Sequence, residues 1–489
     1  MKPSLPKGTR DFSPLETSRR RYIFDTIRNV FELYGYQALE TPAMENLSTL
    51  TGKYGEEGDR LIFKILNSGE YLNDEAISIP KTRIIDANQH KEETSGESYP
   101  IKYILREAEL TGKISEKALR YDLTVPFARY VAMNRNTLAF PFKRFQIQPV
   151  WRADRPQKGR YREFWQCDAD VVGSASMLNE AELIQVYDQV FSKLGLPVTI
   201  LINNRKILSG LAEVIQAPDY LIDITVALDK LDKIGAENVE KEMVEKGVPV
   251  SAVEKLRPLI AFQGDTFKKL EFLKSFLSGS EQGQKGISEL ETLLEYFNGT
   301  DALQLNNTEV RLDLTLARGL NYYTGTILEV KAKGIQFGSI GGGGRYDNLT
   351  GIFGLPDVPG VGISFGADRI YDVLLELNLF PQSALTGTEI LIANFSVEDE
   401  RAALPILQTL RSAGIKTELY AEPAKLKKQF EYAEKKGIPF LLIYGENERN
   451  FGKVNVKQLR TGIQKTFSAR DLKQFDESFF TGISAIAPQ

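Results

Sequence analysis

The chain has 489 residues, enough for about three domains, and its 42% hydrophobic and 26% charged residues are typical of a globular protein. Its net charge of −4 argues against sequence-blind binding to DNA, which requires a basic surface. One cysteine and one histidine exclude an internal disulfide and a metal site of several histidines. No apolar run is long enough for a membrane span or a signal peptide, so we expect a cytoplasmic protein without membrane contacts.

The first predicted element is a helix that begins after Ser13. Pro14 suits the first helical position, Glu16 completes a capping box with Ser13, and Gly35 suits the C-terminal end. The only histidine, His90, lies in a polar stretch that predicts an exposed loop. Catalysis must therefore rest on other side chains, on the backbone or on the substrates' own groups.

Residues 145–148 and 164–171 alternate as strands do. On the second strand, period two places Gln166, Asp168 and Asp170 on one face. Such a stripe suits either a solvent-facing edge or a pocket for a cationic ligand. The pattern by itself favours the solvent-facing edge.

The rest of the chain divides by composition. A helix is predicted from about 179 to 194, and residues 205–307 are charged and helical in pattern. Residues 310–372 are rich in glycine and in strand formers. Beyond a linker at 377–383, strands at 389–393 and 440–444 alternate with helices at 399–413 and 423–436, which predicts a small α/β domain.

Two glycine motifs resemble catalytic signatures and are set aside. Residues 341–345 lack the Gly-Lys-Ser/Thr of a phosphate-binding P-loop. Residues 362–366 fit the Gly-x-Ser-x-Gly nucleophile motif, but that motif needs a downstream histidine, and the only histidine lies upstream.

The most informative segment is a predicted basic hairpin at residues 151–164. It holds four arginines and one lysine around a Pro/Gly loop: Arg152, Arg155, Lys158, Arg160 and Arg162. An arginine fork suits a phosphate because its paired donors are planar and stay charged. Considered without other motifs, a segment with this many basic residues is more often a solvent-exposed charged hairpin.

This hairpin resembles the second signature of class II aminoacyl-tRNA synthetases, in the form found in the histidyl-tRNA synthetase family. Residues 360–370 resemble the third signature, and residues 6–11 and 39–42 resemble the opening and the first, dimer-forming signature. Residues 317–325 and 342–347 resemble the histidine-specific signatures. The resemblance covers nearly the whole chain, in order.

The resemblance implies an α/β protein whose catalytic domain is an antiparallel sheet flanked by helices, with a small α/β anticodon-binding domain. It implies that the catalytic domain is split into a first segment at 1–204, with an insertion at about 67–115, and a second segment at 308–380. A helical insertion domain at 205–307 lies between these segments, and the anticodon-binding domain follows at 388–489. Neither the sequence nor the resemblance assigns a function to the insertion at about 67–115.

The implied reaction is activation of L-histidine with ATP and Mg²⁺, release of pyrophosphate, and transfer of histidine to tRNA(His) by a homodimer. Arg152 would hold the α-phosphate, Arg369 the triphosphate and adenine, and Arg318 the charge of the reacting carboxylate. Arg160 is a further ATP contact, and no dedicated protein ligands are expected for the metal. Gln157 and Arg162 are the candidates for contact with the tRNA acceptor end.

The implied histidine pocket has two ends. Asp122, Thr124 and Gln166 would meet the ammonium and backbone end, and Asp170 and Tyr323 would bracket the imidazole. Arg318, Tyr322 and Tyr346 complete the set, with Tyr346 closing the pocket or serving as a core tyrosine.

Two departures and two alternatives accompany this interpretation. Asp122 stands where many bacterial members have glutamate, and Asp154 replaces a common glutamate. The form Tyr-Asp-Leu-Thr at residues 121–124 resembles a eukaryote-like branch of the family. A non-catalytic regulatory subunit of histidine biosynthesis would lack the C-terminal domain and the ATP arginines. A prolyl or threonyl enzyme would not fit residues 318–325.

Overall fold

The computed structural model describes residues 2–69, 114–298, 303–317, 322–381, 384 and 387–469. The chain forms two compact units. One contains Met1–Arg10 and Ile23–Leu379, and the other contains Asp11–Tyr22 and Phe380–Gln489. Within the described ranges, no helix has the length and hydropathy needed to cross a membrane. The four-segment division drawn from the sequence stays a prediction.

The first unit is built around a large mixed sheet. Its described strands are β1 (Gln37–Ala38), β2 (Met44–Asn46), β3 (Lys64–Ile65), β4 (Lys117–Leu119), β5 (Phe142–Trp151), β6 (Glu163–Val172), β7 (Val198–Asn204), β8 (Thr308–Leu312), β9 (Thr326–Ala332), β10 (Gly341–Arg345) and β11 (Gly360–Gly366). Eight of them form one sheet in the order β1-β5-β6-β11-β10-β9-β7-β8, and β2-β4-β3 form a small second sheet. The six central strands pair antiparallel, as the family resemblance implied, and only the edge pairs β1–β5 and β7–β8 are parallel.

The two faces of this sheet differ in character because side chains alternate along each strand. One face carries apolar residues and packs under helices, with an aromatic cluster formed by Phe31, Phe145, Tyr187, Phe191 and Phe365. The opposite face carries polar side chains on β5 and β6 and glycines on β10 and β11. The polar face is the one on which ligands can be held.

The described helices up to residue 379 range from 4 to 20 residues in length. They are α1 (Pro14–Leu33), α2 (Leu47–Leu50), α3 (Gly55–Arg60), α4 (Thr124–Asn134), α5 (Leu178–Lys193), α6 (Arg205–Val214), α7 (Leu221–Leu228), α8 (Leu231–Ile234), α9 (Ala236–Glu245), α10 (Val250–Ala261), α11 (Thr266–Phe276), α12 (Glu281–Glu295) and α13 (Ala367–Glu376), with 3₁₀ turns at Pro218–Tyr220 and Thr350–Phe353. The predicted start of α1 is confirmed: Ser13 N donates to Glu16 Oε2 at 2.7 Å, and Glu16 N donates to Ser13 Oγ at 3.3 Å.

The stretch from α6 to α12 is helical, as its pattern predicted, and has its own core. That core includes Ile224, Leu228, Met243 and Leu256. Helices α6 and α12 pack closely because Gly210 leaves room: a Cβ there would lie 2.6 Å from the Cα of Gly283.

The second unit contains a five-stranded sheet in the order β13-β12-β14-β15-β16. Its elements are β12 (Ile390–Ile392), α14 (Val397–Ser412), β13 (Thr417–Leu419), α15 (Leu426–Lys436), β14 (Phe440–Ile443), α16 (Glu446–Asn450), β15 (Lys453–Gln458) and β16 (Gln464–Ser468). Apolar clusters lie on both sides of β12 and β14, since residues of opposite parity on these strands belong to different clusters. The alternation of strands and helices predicted beyond residue 388 is thus confirmed.

Candidate active site

A cavity of about 370 Å³ opens over the polar and glycine-bearing face of the large sheet. The β5–β6 hairpin contributes Arg152 and Arg160, β6 contributes Gln166, and Arg369 in the first turn of α13 contributes a further guanidinium. The remaining lining residues are Asp154, Gly159, Tyr161, Phe164, Tyr323, Ile327, Leu328, Glu329, Ser339, Gly341, Gly342, Gly343, Ser364, Gly366 and Asp368. Backbone glycines form much of the floor, so a flat ligand can approach the sheet closely.

Arg152 is held at the base of the hairpin. Its Nε donates to the Tyr121 carbonyl at 3.1 Å, and its guanidinium carbon lies 4.2 Å from the centre of the Tyr121 ring and 5.3 Å from that of Phe164. Cation–π attraction to the rings of Tyr121 and Phe164 restrains the position of the guanidinium. The terminal nitrogens can then serve a ligand.

Arg369 is fixed by backbone oxygens. Its Nε donates to the Gly159 carbonyl at 2.9 Å, and its Nη1 donates to the Ser339 carbonyl at 2.7 Å. Arg369 also lines a neighbouring cavity of about 360 Å³, together with Gln157, Arg160 and Lys233. Two anchored guanidiniums and a basic second cavity make this end of the site suited to a polyphosphate.

The carboxylates of β6 are buried rather than solvated. Asp168 is 2% exposed and Asp170 is 1% exposed. The solvent-facing interpretation of this stripe is therefore wrong. The reason is that β6 is a central strand, paired with β5 on one side and with β11 on the other.

Asp170 lies in a tightly packed polar group. Arg144 Nη2 lies 2.7 Å from its Oδ2, and the Tyr346 hydroxyl donates to its Oδ1. Burial raises the pKa of Asp170, and the Arg144 charge and the Tyr346 hydroxyl oppose that rise. Gly362 makes room for this carboxylate, since a Cβ there would lie 2.0 Å from Oδ1.

Asp122 accepts hydrogen bonds from three neighbouring groups. Its Oδ1 accepts from the Tyr54 hydroxyl at 2.9 Å and from the Val125 amide at 3.1 Å, and its Oδ2 accepts from the Tyr322 hydroxyl at 3.2 Å. Burial raises the pKa of the Asp122 carboxyl, against the lowering effect of these hydrogen bonds and of Arg152. Thr124 begins α4 beside it.

The predicted aromatic residues fall into two groups. Tyr323 lines the cavity. All three tyrosines belong to or pack against one apolar cluster, and Tyr322 and Tyr346 do not line the cavity but donate their hydroxyls to Asp122 and Asp170. Gly360 accommodates the Tyr346 ring, because a Cβ there would come within 2.4 Å of it.

The other predicted residues lie around the rim or outside the described ranges. Arg318 and His90 fall outside the described residues. Gln157 is exposed near the tip of the hairpin. Arg162 is held at the hairpin base, where its Nε donates to the Asp154 carbonyl at 3.2 Å.

Three residues of the site lie outside the set that the family resemblance implied. Arg144 and Asp168 belong to the buried polar rows of β5 and β6, and Tyr54 donates to Asp122. The strand parity of Asp168 was visible in the sequence. The cross-strand partner of Arg144 and the long-range contact of Tyr54 had no local signal.

Substituting Gly362 by alanine tests the packing around Asp170. We expect Gly362→Ala to push the carboxylate aside and to lower kcat/KM for the amino acid that the family resemblance implies as substrate by roughly 10²-fold, the effect that a displacement near 1 Å can have. Steady-state kinetics of the implied activation reaction would measure it. Gly279→Ala is the control, because no atom lies within 4 Å of its added Cβ. Unchanged kinetics for Gly362→Ala would contradict this account of the glycine.

The fold and site together define a class of enzyme. An antiparallel-centred sheet, an arginine-bearing hairpin and a strand leading into an arginine-bearing helix are the components of a class II aminoacyl-tRNA synthetase, to which a separate α/β unit is added. A protein-family model described as Histidyl-tRNA synthetase matches residues 112–370, and one described as Anticodon binding domain matches residues 389–475.

Individual relatives agree with these models. The histidine–tRNA ligase of Phocaeicola vulgatus is 56% identical over 471 residues, which are 96% of this chain and 98% of that protein. The histidine–tRNA ligase of Porphyromonas gingivalis is 58% identical over 468 residues, which are 96% of this chain and 97% of that protein. The crystal structure of histidyl-tRNA synthetase from Nostoc sp. PCC 7120 superposes with a TM-score of 0.76 at 31% identity, covering 97% of this chain and 99% of that one.

The chain belongs to the histidyl-tRNA synthetase family. These relatives are bacterial, so the comparisons do not support the eukaryote-like branch that the Tyr-Asp-Leu-Thr form at residues 121–124 suggested.

Proposed function

We infer that the chain is a histidine–tRNA ligase, which activates histidine with ATP and transfers it to the 3′ end of tRNA(His). The observation that carries this function is the cavity in which Arg152 and Arg369 are anchored, on the face of the sheet that also carries the buried carboxylates of β6. A polyphosphate and a small cationic amino acid can lie there side by side. Their reacting atoms would then meet without a protein nucleophile.

In the first step a histidine carboxylate oxygen attacks the α-phosphorus of ATP. A new oxygen–phosphorus bond forms, the bond to the oxygen that bridges to the β-phosphate breaks, and pyrophosphate leaves. Such a transfer depends on in-line positioning and fixed positive charge. We assign Arg152 to the α-phosphate, Arg369 and Arg160 to the rest of the nucleotide, and Arg318 to stabilising charge as the carboxylate attacks the α-phosphorus.

Mg²⁺ fits this site as a companion of the phosphates. Among the described residues, no group of three or more His, Cys, Asp or Glu side chains could hold a metal ion. Mg²⁺ needs only one or two carboxylates when phosphate oxygens supply other ligands. Glu329, a buried carboxylate that lines the cavity, would be the protein ligand. When bound, the ion offsets charge on the leaving pyrophosphate.

Histidine selection is assigned to the carboxylate pocket. Asp170 would accept a hydrogen bond from one imidazole nitrogen, and the Tyr323 hydroxyl would meet the other. Asp122, Thr124 and Gln166 would surround the backbone end. Tyr346 and Tyr322 act as positioning residues through the carboxylates to which they donate.

In the second step a hydroxyl of the tRNA 3′ nucleotide attacks the carbonyl carbon of the adenylate. The carbon–oxygen bond to the phosphate breaks, AMP leaves, and a phosphate oxygen takes the hydroxyl proton. Gln157 and Arg162 of the hairpin are assigned to the acceptor end. We also propose a homodimer located in the cytoplasm.

The test is ATP–pyrophosphate exchange measured with each amino acid separately. We expect exchange with histidine alone, because a pocket of buried polar groups rejects amino acids that leave those groups unpaired. Exchange with proline or threonine would mean that another class II enzyme is the right assignment. Absence of exchange from folded protein would favour a regulatory subunit instead.

A further inference from the structure

The N-terminal residues 7–10, which we call the strap, pack along the arginine-bearing hairpin between β5 and β6. The Arg162 amide donates to the Gly8 carbonyl at 2.9 Å, and Arg162 Nη1 donates to the Lys7 carbonyl at 3.4 Å. Gly8 has a φ of +90°, and a Cβ there would lie 2.8 Å from Arg162 Cγ and 2.9 Å from Pro156 Cγ. Glycine suits both the positive φ and this close approach. The strap is therefore fastened to the hairpin, although the proposed function gives it no role.

The strap ends at Arg10, which contacts two residues that line the cavity. Arg10 Nη2 forms an ion pair with Asp368 Oδ1, and the guanidinium carbon of Arg10 lies 3.2 Å from the centre of the Tyr161 ring. Asp368 lies in the first turn of α13 and Tyr161 lies in the hairpin, and both line the cavity, whereas Arg10 does not. The Tyr161 hydroxyl also donates to Asp372 Oδ2 on α13 at 3.0 Å. Arg10 thus joins the hairpin to the start of α13.

The hairpin and α13 are the elements that carry two of the guanidiniums assigned to the nucleotide. Arg160 belongs to the hairpin, and Arg369 follows Asp368 in α13. Arg369 Nε donates to the Gly159 carbonyl of the hairpin at 2.9 Å, which is a second connection between these elements. The spacing of the two guanidiniums depends on both connections. Binding groups that are misplaced by about 1 Å can lose much of their effect.

The ion pair of Arg10 also offsets a negative charge in the cavity wall. Asp368 is 3% exposed, and its Oδ2 accepts from the Trp165 amide at 2.8 Å. Without the counter-charge of Arg10, this carboxylate would be costly to bury and would repel the phosphates of a nucleotide. Arg369 donates to two backbone carbonyls, which carry no net charge and do not neutralise it. Arg10 therefore serves Asp368 and leaves the charge of Arg369 to the ligand.

We propose that Arg10 is a positioning residue for the nucleotide, acting through Tyr161 and Asp368. It holds the hairpin and α13 at the spacing that Arg160 and Arg369 need in order to bind phosphates. The inference rests on the proposed function, which places ATP in this cavity, and it adds a residue that touches no substrate. Loss of the Arg10 charge should therefore weaken ATP binding and spare histidine binding, because Arg10 contacts the elements of the nucleotide end.

The test is calorimetric binding of ATP with Mg²⁺, and separately of histidine, to the wild-type protein and to Arg10→Met. This substitution removes the charge and keeps an unbranched side chain. We expect ATP to bind roughly 10-fold more weakly, the lower end of the effect of losing a charge-assisted hydrogen bond. In histidine-dependent ATP–pyrophosphate exchange, the KM for ATP should rise by a similar factor, and the KM for histidine should not change.

Two further variants show whether the charge is responsible. Arg10→Lys keeps a cation for Asp368 and for the Tyr161 ring, so its ATP affinity should lie within about threefold of wild type. Arg28→Met is the matched control, because Arg28 forms an exposed ion pair with Asp25 on α1 and does not line the cavity. It should bind ATP and histidine as the wild-type protein does.

Thermal unfolding of each variant separates positioning from stability. Folded Arg10→Met that binds ATP as tightly as wild type, or that loses affinity for ATP and histidine equally, would overturn the inference. Arg10→Lys that binds ATP as weakly as Arg10→Met would overturn it as well, because the effect would not depend on charge. These results would leave the proposed function intact. Wild-type protein that binds ATP but exchanges with no amino acid would overturn the proposed function, and the comparison of ATP affinities would still decide the role of Arg10. Wild-type protein that does not bind ATP would overturn both.

Discussion

Arg152→Lys is expected to lower the turnover of histidine-dependent ATP–pyrophosphate exchange by roughly 10²- to 10³-fold, although it keeps the positive charge. The guanidinium is planar, is anchored through Nε on the Tyr121 carbonyl, and lies over the rings of Tyr121 and Phe164. A lysine ammonium can neither stack in that way nor present paired donors. The loss should fall mainly on kcat, because the α-phosphate gains its extra charge in the transition state.

Exchange kinetics at varied ATP concentrations would separate kcat from KM. Arg155→Lys is the matched control, since Arg155 lies in the same hairpin and lines neither cavity. Its exchange rate should match that of the wild-type protein. If Arg152→Lys retained a turnover within about threefold of wild type, the assignment of Arg152 to the α-phosphate would be wrong.

Local features of the fold were predictable because their causes are local. The capping box of Ser13 and Glu16 lies within one helical turn, and it correctly located the start of α1. Strand alternation likewise placed Gln166, Asp168 and Asp170 on one face. The strands and helices of the last unit followed from the same short-range patterns.

The burial of that face was not predictable from the pattern. Whether a polar stripe meets solvent depends on the strands beside it, and β11 begins far along the chain from β6. Because β11 lies far from β6 in the sequence, the structural role of its glycines could not be predicted either. Gly362 belonged to what looked like an accidental nucleophile motif, but Gly360 and Gly362 leave space for Tyr346 and Asp170.

The site residues likewise fall into those that the sequence could identify and those that only the assembled sheet reveals. The resemblance to a family named Arg152, Arg369 and Asp170, because those residues lie in or beside contiguous signatures. It did not name Arg144, whose importance comes only from its pairing with Asp170 across β5 and β6. Contacts that depend on register become visible only once the sheet is assembled.

Asp170→Asn should lower kcat/KM for histidine by roughly 10²- to 10⁴-fold, the largest effect that we expect of any substitution in the amino acid pocket. Asparagine is nearly the same size, but it lacks the charge that faces Arg144 at 2.7 Å and can offer an N–H where the imidazole needs an acceptor. Removing one partner of a buried ion pair also costs about 3–5 kcal/mol of folding stability when nothing replaces it. Asp168, whose carboxylate also interacts with Arg144, offsets some of that cost.

The two effects can be separated by measuring thermal unfolding and histidine-dependent exchange on the same preparation. Asp399→Asn is the matched control, because Asp399 pairs with Arg449 in the second unit and does not line the cavity. It should lower stability and leave the KM for histidine unchanged. If Asp170→Asn behaved in the same way, with lost stability and an unaltered KM, then Asp170 would be a structural partner of Arg144 only. A raised KM in protein that is folded at the assay temperature would instead assign imidazole recognition to Asp170, because the buried pair would then have been broken without loss of the fold.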